Sequence, residues 1–249
     1  MSKRQRLMDQ DWGISSSSED TSSDEEEEKP ALPPSGLFQL PFEILSNIFV
    51  LSCNPQLPVA CRFFYNHLYY APNTTKLAFL LYRAHQNPQQ ALEDGIKFAF
   101  FDMDLLTRFD RLIQNVSLKD KKIPARLFLE EPKSTLEERD NIILALLERG
   151  ASPNRPKGFP LIKSAQLGRL DQVKRLISFG ADPAIRNNMA LRVCAARNNR
   201  EMVNYFLDEL KVKPDSETLK ACVQKNLWEM IQVLVDHGAV PDMSTIDFT

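Results

Sequence analysis

Ile143-x-x-Leu146-Leu147-x-x-Gly150, Val173-x-x-Leu176-Ile177-x-x-Gly180, Val203-x-x-Phe206-Leu207-x-x-Leu210 and Ile231-x-x-Leu234-Val235-x-x-Gly238 are four copies of one pattern within residues 141–242. They begin 30, 30 and 28 residues apart. A second pattern precedes each of the last three: Leu161 with Ala165, Leu191 with Ala195, and Leu219 with Val223, lying 12 and 8 residues before the Val or Ile. Apolar residues at i, i+3 and i+4 predict a helix with one buried stripe. Small residues in the preceding segment (Ser164-Ala165, Cys194-Ala195-Ala196, Ala221-Cys222) predict a second helix whose backbone approaches its neighbours closely. Glycine after the bulky helix suits a left-handed cap, and Pro153, Pro183, Pro214 and Pro241 stop the chain from continuing as helix. One such pair cannot bury its own apolar face, so the pairs must stack on one another.

The string GFPLIKSAQLGRLDQVKRLISFGADP, residues 158–183, resembles the ankyrin repeat, with Phe159 and Ile162 at the positions of the family's Thr and His. The period is shorter than the ankyrin unit of about 33 residues, so each hairpin between units is expected to be short. In the third unit Leu210 stands for the cap glycine and Asn198 for the glycine between the helices. The resemblance implies that binding uses first-helix positions not needed for packing: Lys163, Gln166 and Leu167; Val193, Ala196 and Arg197; Ala221, Gln224 and Lys225. The loops add Arg155, Lys157, Arg186 and Asn187. This surface is mildly basic and suits a protein target carrying acidic or phosphorylated residues.

Outside the repeat, the most informative stretch is GLFQLPFEILSNIFVLSCNPQLPVACRFFYNHLYY, residues 36–70. Pro41 suits a first helical position, and Glu43 favours the helix N-terminus. Ile44, Leu45, Ile48, Phe49 and Leu51 then cover much of the helix surface. After NPQLP, Val59, Ala60, Phe63, Phe64 and Leu68 predict a second apolar helix. So short a segment cannot bury this much apolar surface alone, so it needs a partner, either the rest of the chain or another protein. The stretch resembles the F-box: Leu40, Pro41, Glu43, Ile44, Leu45, Ile48 and Phe49 follow the family's opening, and Ala60, Cys61, Arg62, Phe64, Tyr65 and Leu68 its close. Ile48 to Cys61 spans 13 residues, shorter than the family's usual spacing. The resemblance implies docking to the Skp-type adaptor of a cullin-based (SCF-type) ubiquitin ligase through Leu40, Pro41, Ile44, Leu45, Ile48 and Phe49. The alternative is a hairpin that only caps the solenoid, making the chain an ankyrin scaffold. The two differ in whether Leu40, Ile44, Leu45, Ile48 and Phe49 are open or are buried against residues 77–113.

Residues 1–35 read as a disordered acidic tail with four cations and nine acids, which leaves +3 on the rest of a chain whose net charge is −2. Ser16, Ser17, Ser22 and Ser23 each have an acidic residue three positions on and are candidates for phosphorylation. The expected organisation is therefore the tail over 1–35, the F-box-like helices over 36–70, linking helices with a possible degenerate repeat over 71–140, and the repeats over 141–249. In the linking part, residues 76–86 and 95–114 read as two amphipathic helices separated by NPQQ, with Phe109, Leu112 and Ile113 repeating the solenoid spacing. Residues 123–135 read as a loop with a short helix, the diverged first helix of the unit ending at Gly150.

Chemistry is not indicated. His67, His85 and His237 are scattered, and Cys53, Cys61, Cys194 and Cys222 lie far apart with no C-x-x-C, so neither a nucleophile with its base nor a metal set emerges. Asp102 and Asp104 are expected at a helix edge, and His237 is expected to face helix carbonyls beside its capping glycine. No cofactor is implied. A +3 body without interleaved aromatics argues against nucleic acid, and no apolar run approaches a membrane span. The N-terminus lacks the apolar core of a signal peptide, and an intracellular protein of cytoplasm or nucleus is expected. The sequence therefore predicts an all-α, non-enzymatic protein: an F-box-like helical hairpin followed by an ankyrin-type helical solenoid.

Overall fold

The computed structural model describes residues 36–129 and 134–242, which contain twelve α-helices and no strand. The chain divides into two compact units, residues 1–40 and 41–249. In the first, a 3-10 turn, Gly36–Gln39, precedes Leu40. Ser16, Ser17, Ser22 and Ser23 lie outside the described residues.

The second unit opens with α1 (Phe42–Ser52). Pro41 is its N-cap rather than its first helical residue, because its ψ of 154° is extended. The second apolar helix is broken: a 3-10 turn, Leu57–Val59, leads to the short α2 (Arg62–Phe64), which runs on as a π-turn over Tyr65–Tyr69. The linking region holds three helices where the sequence suggested two: α3 (Asn73–Arg83), α4 (Pro88–Gly95) and α5 (Met103–Leu112). NPQQ starts α4 instead of separating helices. Pro88 lacks the N–H that a first turn leaves unpaired, and the Asn87 side chain accepts from the Gln90 N–H. Phe109 is buried in α5, but Leu112 faces solvent.

The capping box of Thr135 and Glu138 starts α6 (Leu136–Glu148). Before it, the short helix expected in residues 123–135 is a 3-10 turn, Ala125–Phe128, which packs on α6 and α7 and buries Leu127 and Phe128. Three helix pairs follow: α7 (Phe159–Gln166) with α8 (Leu170–Ser178), α9 (Ile185–Ala196) with α10 (Arg200–Asn204), and α11 (Ser216–Val223) with α12 (Trp228–Asp236). These are the helices the repeat predicts.

Each pair turns on one left-handed residue: Gly168 (φ 75°), Asn198 (φ 56°) or Asn226 (φ 55°). Asparagine tolerates this conformation because its side chain bonds locally, so it can replace the glycine. The bulky helices end alike. Gly150, Gly180 and Gly238 have φ of 86–87°, and the N–H groups of Ala151, Ala181 and Ala239 reach back to Leu146, Leu176 and Leu234. The third unit differs. After α10 the chain forms a π-turn over Tyr205–Glu209, and the left-handed residue is Lys211, one position beyond Leu210. The π-turn accommodates that extra residue, and the closing bond runs from the Val212 N–H to the Phe206 carbonyl.

The first helices α7, α9 and α11 pack side by side through buried Ser164, Ala165, Cys194, Ala195 and Cys222. The second helices bury Val173, Leu176, Val203, Phe206, Met230 and Leu234 behind them, each worth about 1.5–3 kcal/mol of burial. On the outside, ion pairs tie one second helix to the next. Arg149 of α6 meets Asp110 of α5 at 2.6 Å, Arg175 of α8 meets Asp140 of α6 at 3.2 Å, and Arg200 of α10 pairs with Glu229 of α12. At the loop edge, the bonds run from unit to unit. Lys122 bridges to Ser152, Asn154 Nδ2 donates to the Gly180 carbonyl (2.9 Å), the Asp182 N–H donates back to Asn154 Oδ1 (2.8 Å), and Asn188 Nδ2 donates to the Lys213 carbonyl (2.9 Å).

Candidate protein-binding surfaces

The first surface is on α1. Leu45 and Phe49 are 1% and 2% exposed, and the Phe49 ring stacks on Phe79 of α3 with centroids 4.4 Å apart and planes 5° from parallel. These two expected adaptor contacts are therefore not open, because α3 covers that edge of the helix. The other edge is open. Ile44 and Leu51 are 44% and 61% exposed, Ile48 between them is half-buried, and Pro41 at the helix start is exposed. Their i, i+4, i+7 spacing makes a single apolar stripe. Leu40 falls in the first compact unit. In the closing half of the motif, Phe64 and Leu68 are buried while Ala60 and Arg62 are exposed. Beside α1 a groove of about 230 Å³ opens between Phe49, Val59, Tyr69, Phe98 and Phe100, with Lys76 also lining it.

The second surface is the first-helix layer with its loops. Lys163, Gln166, Leu167 and Val193 are half-buried, and Arg197, Gln224, Lys225, Arg155 and Arg186 are exposed. The packing of α7, α9 and α11 brings the helical residues of this set onto adjacent helices. Lys163 Nζ lies 3.2 Å from Gln166 Oε1, and Lys225 Nζ donates to the Ala196 carbonyl at 2.8 Å, so each is partly held by its own layer. The side chains of Arg155, Arg186 and Arg197 make no hydrogen bond or ion pair with any described residue. Arg186 belongs to a left-handed turn of three residues with Asn187 and Asn188, which precedes the regular part of α9. Sequence reasoning missed the asparagine ties that fasten the loops. The only available signal was an asparagine recurring in successive hairpins.

Several other polar groups have structural partners. Asp102 caps α5 by accepting from the Leu105 N–H at 2.8 Å, and Asn73 Nδ2 donates to both Asp102 and Asp104. Asn73 and then Arg108 lower the Asp104 pKa. Burial pushes the Cys194 thiol up to about 12 and the Cys222 thiol up to about 11, so neither ionises near neutral pH. Behind the first-helix layer, buried Ser164 and Gln172 are linked at 2.7 Å, and Gln172 Nε2 donates to Asp140. Among the described residues no group of three His, Cys, Asp or Glu could hold a metal ion, and no helix is long and apolar enough to cross a membrane.

Comparison with known proteins locates two matches. Residues 161–207 match the family of ankyrin repeats in many copies, the stretch that runs from α7 into α10 and its π-turn. Residues 39–69 match the family described as the YDR249C N-terminal domain, which covers α1 and α2. No curated protein matches the chain. The fold is an all-α helical solenoid with an ankyrin-repeat segment, an architecture that suggests a protein–protein interaction scaffold and implies some protein partner.

Proposed function

We propose that the chain is a non-catalytic adaptor that joins two proteins: the open edge of α1 binds the Skp-type adaptor of a cullin-based ubiquitin ligase, and the solenoid holds the target. The observation that carries this reading is the division of α1. A helix serving only as a cap needs no second apolar stripe, yet Ile44, Ile48 and Leu51 form one about 100° round the helix from the edge that α3 buries. The F-box-like order of residues 40–68 supports assigning the stripe to a Skp-type partner. The mechanism is tethering: a target held on the solenoid is presented to the ligase at high effective concentration, and the chain itself makes or breaks no bond.

The Phe49–Phe79 stack favours a second reading, in which the hairpin serves only to close the N-terminal end of the solenoid. A pull-down with purified Skp-type adaptor separates the two, comparing the native chain with Ile44→Glu/Leu51→Glu. Both residues are exposed, so the variant keeps its helix content by circular dichroism. Capture by the native chain and loss in the variant is the expected result. A folded native chain that captures no adaptor would leave only the scaffold reading.

A further inference from the structure

Charge in the solenoid is sorted by layer. The loops and first helices, residues 150–169, 181–199 and 211–227, hold eleven cations and three acids, a net of +8. The second helices, residues 136–149, 170–180, 200–210 and 228–238, hold five cations and ten acids, a net of −5. From Gly150 to Arg169, and again from Pro183 to Arg200, there is no acid at all. Two of the three acids in the basic layer are engaged: Arg192 pairs with Asp215 at 3.2 Å and lies 3.8 Å from Glu217. The third, Asp182, accepts from the Ala184 N–H within its own loop.

Within that layer, three successive loops each carry an exposed cation that makes no hydrogen bond or ion pair with any described residue through its side chain: Arg155, Arg186 and Lys213. The loops are fastened in order, the first to the second by Asn154 and the second to the third by Asn188. The loop before them, residues 118–123, joins through the Lys122–Ser152 bridge and adds Lys119 and Lys122 beside Asp120. The cations are therefore held as a row with at least one per repeat, and Lys157 in the first loop and Lys211 in the third are also exposed.

We infer that Arg155, Arg186 and Lys213 form a docking track for an acidic peptide in the extended polyproline II conformation whose carboxylates recur at every third residue, since packed helices lie about 8–10 Å apart and that conformation rises about 3.1 Å per residue and returns every third side chain to the same face. Cations recurring along successive loops match carboxylates recurring along a chain. Phosphate favours several donors converging on one group, and the middle loop, residues 181–188, offers only Arg186. A nucleic acid strand would also favour stacking aromatics, and these three loops contain none. The inference rests on the solenoid being the target-binding part.

The test is fluorescence anisotropy of the full chain with three labelled peptides of equal length: glutamate at every third position, the same glutamates clustered, and glutamine throughout. The regular peptide binds tightest, its affinity falls with added salt, and the glutamine peptide does not bind. Arg155→Glu/Arg186→Glu/Lys213→Glu, with unchanged circular dichroism, loses about tenfold or more of the affinity, and Arg111→Glu on α5 loses none. Equal binding of regular and clustered peptides, or native-like binding by the triple variant, would overturn the track. So would single-stranded nucleic acid displacing the regular peptide and losing its own binding in the same variant. Adaptor capture through α1 is measured separately, so failure of either experiment leaves the other standing.

Discussion

His237 shows what one side chain does between two repeats. Its Nδ1 lies 2.8 Å from the Val233 carbonyl and its Nε2 lies 3.0 Å from Asp208 Oδ1. Both neighbours are acceptors, so both contacts are hydrogen bonds only when both ring nitrogens carry protons. The Val233 carbonyl, and then Asp208, accordingly raise the pKa above the ordinary value of 6.5. The stabilisation is fully present below the unfolded value of about 6.5 and is lost as pH rises through the higher folded value. Urea melts of the native chain between about pH 6 and 8 should therefore show stability falling with pH more steeply than in His237→Gln. An equal pH slope in the two proteins would show that the contact between His237 and Asp208 contributes nothing.

Among the elements, α1 has two edges in different surroundings, and mutation separates them. Phe49 is fully packed and stacked on Phe79, so Phe49→Ala removes a buried ring and costs about 3–5 kcal/mol. Leu51 is mostly exposed, and Leu51→Ala changes stability by about 0.5 kcal/mol or less. Denaturant midpoints of the two variants check this directly, and comparable losses would mean that the stripe is buried after all. The π-turn after α10 makes a similar point. An extra residue relative to the other units is absorbed inside the element, so the later pair α11–α12 keeps the register of the stack.

For the whole molecule, stability should be distributed rather than pooled, because a solenoid repeat touches mainly its neighbours. Leu234→Ala in α12, at a fully buried site, costs about 2–5 kcal/mol. Hydrogen exchange should quicken most in α11 and α12, less in α9, and hardly at all in α1 and α3. A uniform increase would show that the second unit opens as one cooperative body. Much of this architecture was legible in the residues alone. The 30-residue period, the paired helices from α7 to α12, the capping glycines and the asparagine substitute at Asn198 are local matters of apolar spacing and backbone conformation, which a chain carries wherever it folds. What the sequence left open depends on contacts between residues far apart. Ile44 and Leu45 are equally apolar neighbours, and only the packing of α1 against α3 and the π-turn over Tyr65–Tyr69 determines that Leu45 is core and Ile44 is surface. Pro88 reads as a breaker until Asn87 caps the turn it begins. Arg155, Arg186 and Lys213 become a row only because Asn154 and Asn188 fasten their loops together. Local spacing thus determined the repeat, and long-range packing decided which apolar and charged residues remain free to meet a partner.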